Sequence, residues 1–249
     1  MPNYEVTHLY QPIVDLSDLR LVRHEALLRV NGVNDIETFT RRLEASGEII
    51  ALDLLTLESV LRHLEDPALS ANLPVAINVS ALSLVDPKFQ HKAMKLLRQS
   101  PASLDISVEI TESSPIHDLE NARDFVRSVQ SLGCTVGMDD YGDGFAYLGL
   151  VDELRLDYLK ISNTITQHVL EDDESIEKIR VAMRYALERG IKVVAEHIDN
   201  VPQYILLRDM GIHYGQGWLF AKADAMIEDP EQFQDSLKSR IESIGDYSH

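Results

Sequence analysis

The stretch that decides the fold is HLYQPIVDLSDLRLVRHEALLRV, residues 8–30. Two β-like runs, 8–14 and 21–30, are separated only by residues 15–20. A parallel crossover needs a dozen or more residues, so these two strands are expected to pair as an antiparallel hairpin. Any parallel sheet in the rest of the chain therefore has to accommodate one reversed strand.

After this hairpin, short β-like runs alternate with amphipathic helical segments. Further strands are predicted at 75–80, 105–111, 135–139, 158–161, 192–196 and 214–220. Apolar residues at helical spacing predict helices at 87–99, 118–132 and 175–189, and the gap 31–74 is expected to hold two more. This rhythm is typical of βαβ units, and about eight strands favour closure. We predict an α/β fold, a TIM-like (β/α)8 barrel with one antiparallel strand, as a single domain over 1–249.

The composition limits the classes of partner. The formal net charge is −18, with 41 acidic against 23 basic residues, which argues against a DNA or RNA polymer as ligand. No apolar run approaches the ~20 residues needed to cross a bilayer, so no membrane contact is expected from this chain. The single cysteine, Cys134, fits a reducing compartment, and a cytoplasmic location is expected.

Polar side chains fall at or near the ends of nearly every predicted strand. They are Glu25, Asn78, Glu109, Glu112, Asp139, Asp140, Lys160, Glu196 and Gln216. The C-terminal ends of parallel barrel strands converge on one face, where such folds place their active sites. Residues far apart in the sequence are therefore expected to surround one cavity.

A ring of carboxylates would repel itself unless cations or protons were present. Oxygen ligands suit hard cations, Mg²⁺ or Mn²⁺, better than zinc. The adjacent Asp139 and Asp140 could serve two metals, which is the usual arrangement for hydrolysis of a phosphodiester.

Each of these positions also has a simpler interpretation when it is taken alone. Glu25 could face solvent or form a salt bridge, and an Asp-Asp-x-Gly sequence is more often a turn. Lys160 could be a buried ion-pair partner, and Gln216 could cap the backbone. A metal-centred site is favoured because all of the positions coincide with strand ends.

The residues, in this order, resemble the EAL-domain family of cyclic di-GMP phosphodiesterases. The motif that names the family is present as Glu25-Ala26-Leu27-Leu28-Arg29. It is followed in family order by Asn78-Val79-Ser80, Glu109-Ile110-Thr111-Glu112, Asp139-Asp140, Lys160-Ile161, Ala195-Glu196 and Gln216-Gly217. Any one of these motifs is weak, but the ordered series is highly specific and covers nearly the whole chain.

The resemblance implies a role for each position. It gives the ligands of one metal as Glu25, Asn78, Glu109 and Asp139, and those of the second as Asp139, Asp140 and Glu196. The catalytic set is implied to be Lys160, which hydrogen-bonds the attacking water, with Glu196, Gln216 and Glu112, and the substrate-binding set Arg29, Gln11 and Leu28. Family members require Mg²⁺ or Mn²⁺, are typically inhibited by Ca²⁺, open cyclic di-GMP to linear pGpG and often form homodimers.

The sequence departs from the family pattern at three places. In the loop after Asp140, Asp143 replaces a threonine, and Glu112, which braces this loop in the family, is a like charge. Ser162 stands where an aspartate is usual, and 197–199 read His-Ile-Asp instead of Gly-Val-Glu. His197 is expected to be a loop or packing residue, with a pH-dependent influence on the site as the alternative.

We therefore predict hydrolysis of cyclic di-GMP as the function. The rival hypothesis is a cyclic di-GMP receptor or protein-interaction module whose catalysis has lapsed, and the altered 140–148 loop is its best support. An unrelated metal-dependent barrel hydrolase that cleaves another phosphodiester is a third reading. A homodimer is expected from the resemblance alone, and a regulatory domain or partner outside this sequence is possible.

Overall fold

The computed structural model describes residues 4–66, 74–101, 105–111, 115–142, 147–227 and 229–246. Its strands are β1 Val6–Asp15, β2 Leu21–Val30, β3 Val75–Ser80, β4 Ile106–Thr111, β5 Thr135–Tyr141, β6 Tyr158–Ile161, β7 Lys192–Ala195 and β8 Tyr214–Gly215. Its helices are α1 Ile36–Ser46, α2 Ile49–Leu64, α3 Ala81–Val85, α4 Pro87–Gln99, α5 Leu119–Gln130, α6 Leu148–Leu154, α7 Asn163–Thr166, α8 Asp173–Arg189, α9 Val201–Asp209 and α10 Pro230–Asp246.

The eight strands form a closed barrel in sequence order. Neighbouring strands from β2 to β8 pair in parallel, whereas β1 is antiparallel to both of its neighbours, β2 and β8. The hairpin register sets Gln11 opposite Glu25. The predicted barrel with one reversed strand is therefore confirmed, and the C-terminal ends of seven parallel strands open on one face.

The strand predictions hold for most of the chain but fail in length at the last strand. That strand was predicted over 214–220 and consists only of Tyr214–Gly215. The chain leaves the sheet because Gly217 lies against the backbone of Ile198, too close for a Cβ atom, and residues after it form turns. The apolar residues from Trp218 to Phe220 account for the longer strand that was predicted, but they form a turn after Gly217.

The helix predictions are confirmed, with ends set by side-chain caps. Asp118 and Asp172 accept hydrogen bonds from the first-turn amides of α5 and α8, so these helices begin just after them. The two helices expected between the second and third strands are α1 and α2.

Among the described residues, no helix is both long and apolar enough to cross a membrane.

The main core lies between the barrel and the surrounding helices. Phe89 of α4 and Phe125 of α5 are buried there with their rings edge to face, 6.2 Å apart. Leu237 and Ile241 of α10 are buried in the same cluster, so the last helix packs against the barrel layer. This rigid surround holds the strand ends, and the side chains on them, in fixed positions.

Candidate active site

The polar side chains predicted from the strand ends meet inside one end of the barrel. Glu25 comes from β2, Asn78 from β3, Glu109 from β4, Asp139 from β5 and Lys160 from β6. Glu196 follows β7 and Gln216 follows β8. All of these except Asn78 and Glu196 are buried, and those two are partly buried.

Lys160 is the centre of this cluster. Its Nζ lies 3.0 Å from Glu25 Oε2, 3.0 Å from Glu109 Oε2, 2.8 Å from Asp139 Oδ1 and 2.7 Å from Glu196 Oε1. Four ionised carboxylates around one ammonium group would leave a net negative charge in a largely buried region. The cluster therefore favours further positive charge.

The protonation equilibria reflect this excess of acid. Burial opposes the charge on Lys160, but the four carboxylates outweigh it and raise its pKa well above the usual value. Burial, with the charges of Glu25 and Asp139, raises the pKa of Glu109 to about 7 although Lys160 opposes the shift. Burial likewise raises the pKa of Asp139, and raises that of Glu196 well above its usual value. Without further cations, protons neutralise part of the cluster.

Glu25 differs from the other carboxylates because amide groups stabilise its charge. Asn78 Nδ2 donates to Glu25 Oε1 at 2.7 Å, and Gln216 Nε2 donates to Glu25 Oε2 at 2.9 Å. Against the effect of burial, Lys160 and these donors lower the pKa of Glu25. Gln11 Oε1 accepts a second hydrogen bond from Gln216 Nε2 at 3.0 Å, so Gln11 orients the amide that holds Glu25.

The paired aspartates reach the same site through an irregularity in β5. Successive side chains of a regular strand point to opposite faces, which would send Asp139 and Asp140 apart. The β5–β6 register shifts between Met138 and Tyr141, and Asp140 has a φ of 56°, which is unusual for a residue with a side chain. Carboxylate oxygens of Asp139, Asp140 and Glu196 consequently lie within 4.8 Å of one another.

The donor set fits two hard cations. Carboxylate oxygens of Glu25, Glu109 and Asp139 form a second group whose atoms lie within 4.8 Å of each other, so Asp139 belongs to both groups. Asn78 Oδ1 is buried and accepts no hydrogen bond from the described residues, which leaves an oxygen donor beside Glu25. Oxygen-only ligands with one shared carboxylate suit Mg²⁺ or Mn²⁺. The predicted ligand sets are thus brought together.

A cavity of about 710 Å³ adjoins this cluster. Asn78 and Asp140 line it from the cluster side, and Leu28 and Arg29 line it from β2. Its volume lies in the range of small-molecule sites, roughly 300–1,000 Å³. Leu28 and Arg29, which were predicted to bind substrate, therefore share one cavity with two predicted metal ligands, whereas Gln11 lies beside Gln216.

Sequence reasoning missed Tyr158 of β6. Its hydroxyl donates to Glu109 Oε1 at 2.9 Å, and burial raises the pKa of this phenol well above its usual value. The signal was available, because Tyr158 lies two residues before Lys160 and residues two apart in a strand share a face. Of the predicted site residues, Glu112 lies outside the described residues, as does Asp143 in the altered loop.

Comparison with known proteins agrees with this geometry. The model of the family described as EAL domain matches residues 3–223. The chain belongs to the EAL domain family.

Several relatives carry functional names. "Cyclic di-GMP phosphodiesterase PdeF" of Escherichia coli (strain K12) is 26% identical over 83% of this chain and 28% of its own length. An uncharacterized protein of Mycobacterium tuberculosis is 30% identical, over 86% of this chain and 74% of its own length. The chain spans only about a third of the length of several curated relatives that it matches.

Solved EAL structures share the fold. The EAL enzyme Bd1971 with cAMP and cyclic di-GMP bound is 27% identical, with a TM-score of 0.72, over 94% of this chain and 65% of that one. The PaMucR phosphodiesterase in complex with c-di-GMP superposes with a TM-score of 0.78, over 88% of this chain and 97% of that one. At 22% identity, the second likeness supports the fold alone.

Proposed function

We propose that this chain hydrolyses cyclic di-GMP to linear pGpG with two divalent cations, Mg²⁺ or Mn²⁺, as cofactors. The observation that carries the proposal is the buried cluster in which Lys160 contacts Glu25, Glu109, Asp139 and Glu196 at 2.7–3.0 Å. The identity of the substrate is inferred from relatives that are named as cyclic di-GMP phosphodiesterases.

The two cations would share Asp139. One would be held by Glu25, Asn78, Glu109 and Asp139, and the other by Asp139, Asp140 and Glu196. Such a pair lowers the pKa of a bound water and stabilises the charge that develops on the phosphoryl oxygens. The neighbouring amides keep their role, because Gln216 and Asn78 orient the Glu25 carboxylate.

The reaction adds water across one phosphodiester bond. The water oxygen bonds to phosphorus, the bond from phosphorus to O3′ breaks, and the leaving O3′ takes a proton. Lys160 donates a hydrogen bond to the attacking water, and its raised pKa keeps it a donor at neutral pH. The product carries a 5′ phosphate and a free 3′ hydroxyl, as pGpG does.

Substrate recognition is assigned to the cavity beside the cluster. Arg29 offers a planar guanidinium fork that can pair with two phosphate oxygens. Leu28 supplies apolar surface from the same strand, and both residues line the cavity. Gln11 acts through Gln216, and Glu112 is proposed to brace the 140–148 loop.

A timed chromatographic assay tests the proposal directly. Purified protein is incubated with cyclic di-GMP in Mg²⁺, in Mn²⁺, in Ca²⁺ and in excess chelator. We expect pGpG to form with Mg²⁺ or Mn²⁺ and not with chelator, with inhibition by Ca²⁺. Intact nucleotide in every condition, from protein that binds it in calorimetry, would instead favour a receptor whose catalysis has lapsed.

Two matched pairs of variants assign the roles. Glu25→Gln and Lys160→Met are expected to reduce turnover at least 100-fold, because each removes a charge from the cluster. Glu177→Gln and Lys178→Met change the same residue types on exposed positions of α8, and turnover should not change. Unchanged turnover in Glu25→Gln or Lys160→Met would overturn the assigned roles.

Assembly and location are proposed from the family resemblance. We propose a homodimer in the cytoplasm, with regulation supplied by a domain or partner outside this sequence. Light scattering of the purified chain tests the first point, since a monomer at assay concentrations with full turnover would rule out a catalytic need for the dimer.

A further inference from the structure

Two loops beside the catalytic cluster form a fixed rim. Ile198 N donates to Gln216 O at 3.0 Å, and Leu219 N donates to Ile198 O at 3.0 Å. Trp218 N donates to Asp199 Oδ1 at 3.0 Å. The segment after β7 is therefore held against the segment after β8, and both follow directly from predicted site residues.

Trp218 is exposed on this rim. Its relative exposure is 60%, although large apolar rings are usually removed from water. The His197 ring lies 6.3 Å away, centroid to centroid, and is tilted by 33°. Lys222 Nζ lies 4.6 Å from the Trp218 ring centroid. The rim thus presents two aromatic rings and one cation to solvent.

The backbone at His197 is strained. Its φ of 57° lies in the left-handed region, which residues with a Cβ atom rarely adopt. Such conformations persist where surrounding contacts impose them, and they cluster at ligand sites. His197 follows Glu196 directly, and its ring lies next to the ring of Trp218.

We propose that His197 and Trp218 clamp one purine base of the nucleotide, a role that rests on the proposed function. A planar base between two parallel rings needs a centroid separation of about 7 Å, since each stacking gap is about 3.5 Å. From the observed 6.3 Å and 33°, the two rings have to move apart by about 0.7 Å and rotate toward a parallel arrangement.

Position and charge support this occupant. Trp218 lies two residues after Gln216, so their Cα atoms are at most about 7 Å apart, and His197 adjoins Glu196. A nucleotide whose phosphodiester lies at the cluster can place its base on this rim. Lys222 adds a positive charge that suits a phosphorylated ligand better than a neutral aromatic one.

The sole tryptophan gives a direct readout. Trp218 is the only tryptophan in the chain, so the indole emission of the protein reports on this position alone. We expect cyclic di-GMP, added in Ca²⁺ to prevent turnover, to quench this emission with the same Kd that calorimetry gives. Ribose 5-phosphate lacks a base and should leave the emission unchanged.

Variants test the energetic contribution of the clamp. Trp218→Ala is expected to weaken binding of cyclic di-GMP roughly 5- to 150-fold, in the range of base–aromatic stacking. Trp218→Phe should lose less, because it keeps an aromatic face. Leu187→Ala is the control, since Leu187 is 82% exposed on α8, and its affinity should equal that of the wild type. In Mg²⁺ or Mn²⁺, Trp218→Ala should raise KM more than it lowers kcat.

The outcomes separate the two proposals. Calorimetric binding without quenching, together with an unchanged Kd in Trp218→Ala, would overturn the clamp and leave the phosphodiesterase intact. Neither binding nor turnover in the wild type would overturn the proposed function, and the clamp with it.

Discussion

At the scale of the residue, the cluster combines groups that would be costly to bury separately. Lys160 is fully buried, and its ammonium group is the positive charge that all four carboxylate neighbours share. Glu25, held also by two amides, is the carboxylate whose pKa falls, whereas that of Glu109 rises. Neighbouring donors therefore decide which acid is ionised.

Asp53 of α2 lines the cavity and contacts the connection between β3 and α3. Its Oδ2 accepts hydrogen bonds from Ser80 N at 2.9 Å and from Ser83 Oγ at 2.7 Å, where the chain passes from β3 into α3. Asp53→Ala would leave both buried donors without this acceptor, and an unsatisfied buried group costs about 1–3 kcal/mol. We expect the free energy of unfolding to fall by about 2–4 kcal/mol in urea titrations.

Two variants serve as comparisons for Asp53→Ala. Asp53→Asn keeps an acceptor oxygen and should lose less stability than the alanine variant. Asp235→Ala removes an exposed carboxylate on α10 and should change the free energy of unfolding by at most about 0.5 kcal/mol. Equal stability of Asp53→Ala and the wild type would show that these hydrogen bonds contribute nothing.

His8 of β1 makes the fold sensitive to acid. Burial, with a smaller effect of the His63 charge, lowers the pKa of His8 to about 4. In the unfolded chain this pKa is about 6.5, so the unfolded state binds more protons between these values. His8 therefore does not lower the free energy of unfolding above pH 6.5, and it lowers it progressively as the pH falls from 6.5 toward 4.

The size of this effect can be measured by urea unfolding at pH 7 and pH 5. His8→Leu should reduce the loss of stability between these two pH values by about 1–2 kcal/mol. His91→Leu, on the exposed face of α4, should leave the loss unchanged. An identical loss in the wild type and His8→Leu would mean that His8 titrates normally in the folded protein.

At the scale of the element, two irregular strands make the site possible. The register shift in β5 turns Asp140 toward Glu196, and the early end of β8 turns the chain at Gly217 while Gln216 points inward to Glu25. A longer, regular β8 would continue the alternation of side chains instead. The departures from ideal strands thus coincide with the functional residues.

Gly217 offers a test of this element. A Cβ atom at this position would clash with the backbone of Ile198, which cannot move as freely as a side chain. We expect Gly217→Ala to lower the free energy of unfolding by about 1–3 kcal/mol and to reduce turnover, because the turn also positions Gln216. Thermal unfolding and the chromatographic assay measure the two effects.

Gly32 is the matched control for Gly217→Ala. Its φ of 77° carries a conformational cost for alanine, but a Cβ atom there meets no neighbour within 4 Å. Gly32→Ala should therefore lose about 1–2 kcal/mol with turnover unchanged. If both variants lost turnover equally, close packing at Gly217 would not be the reason.

At the scale of the whole molecule, charge and metal are linked to stability. The chain carries a formal net charge of −18, and the cluster concentrates part of it in the barrel. A ligand that binds only the folded state stabilises it by about 2.7 kcal/mol when its concentration is 100-fold above Kd. We expect Mg²⁺ or Mn²⁺ to raise Tm and excess chelator to reverse the rise.

Glu109→Gln should abolish most of this metal-dependent rise, because it removes a proposed ligand from the group formed by Glu25, Glu109 and Asp139. Glu120→Gln, an exposed acid in the first turn of α5, should keep it. A rise in Tm that is the same in Glu109→Gln would place the stabilising metal elsewhere.

The sequence by itself determined the fold and identified the candidate site residues. Only five residues separate β1 from β2, and they force an antiparallel pair because a crossover cannot be so short. Alternating strands and helices then bring the strand ends together, so Glu25, Glu109 and Lys160 could be assigned to one cavity. These conclusions depend on the length of one connection and on the periodicity of apolar residues, and both are visible in the sequence.

Only the tertiary structure decided how the site residues contact one another. Lys160 lies within 3.0 Å of four carboxylates, Tyr158 donates to Glu109, and Gln11 acts through Gln216. The turn of Asp140 toward Glu196 and the approach of His197 to Trp218 likewise depend on positive φ angles that no residue type there required. Such contacts arise from packing between segments that are in some cases more than a hundred residues apart. Local sequence patterns therefore do not predict them.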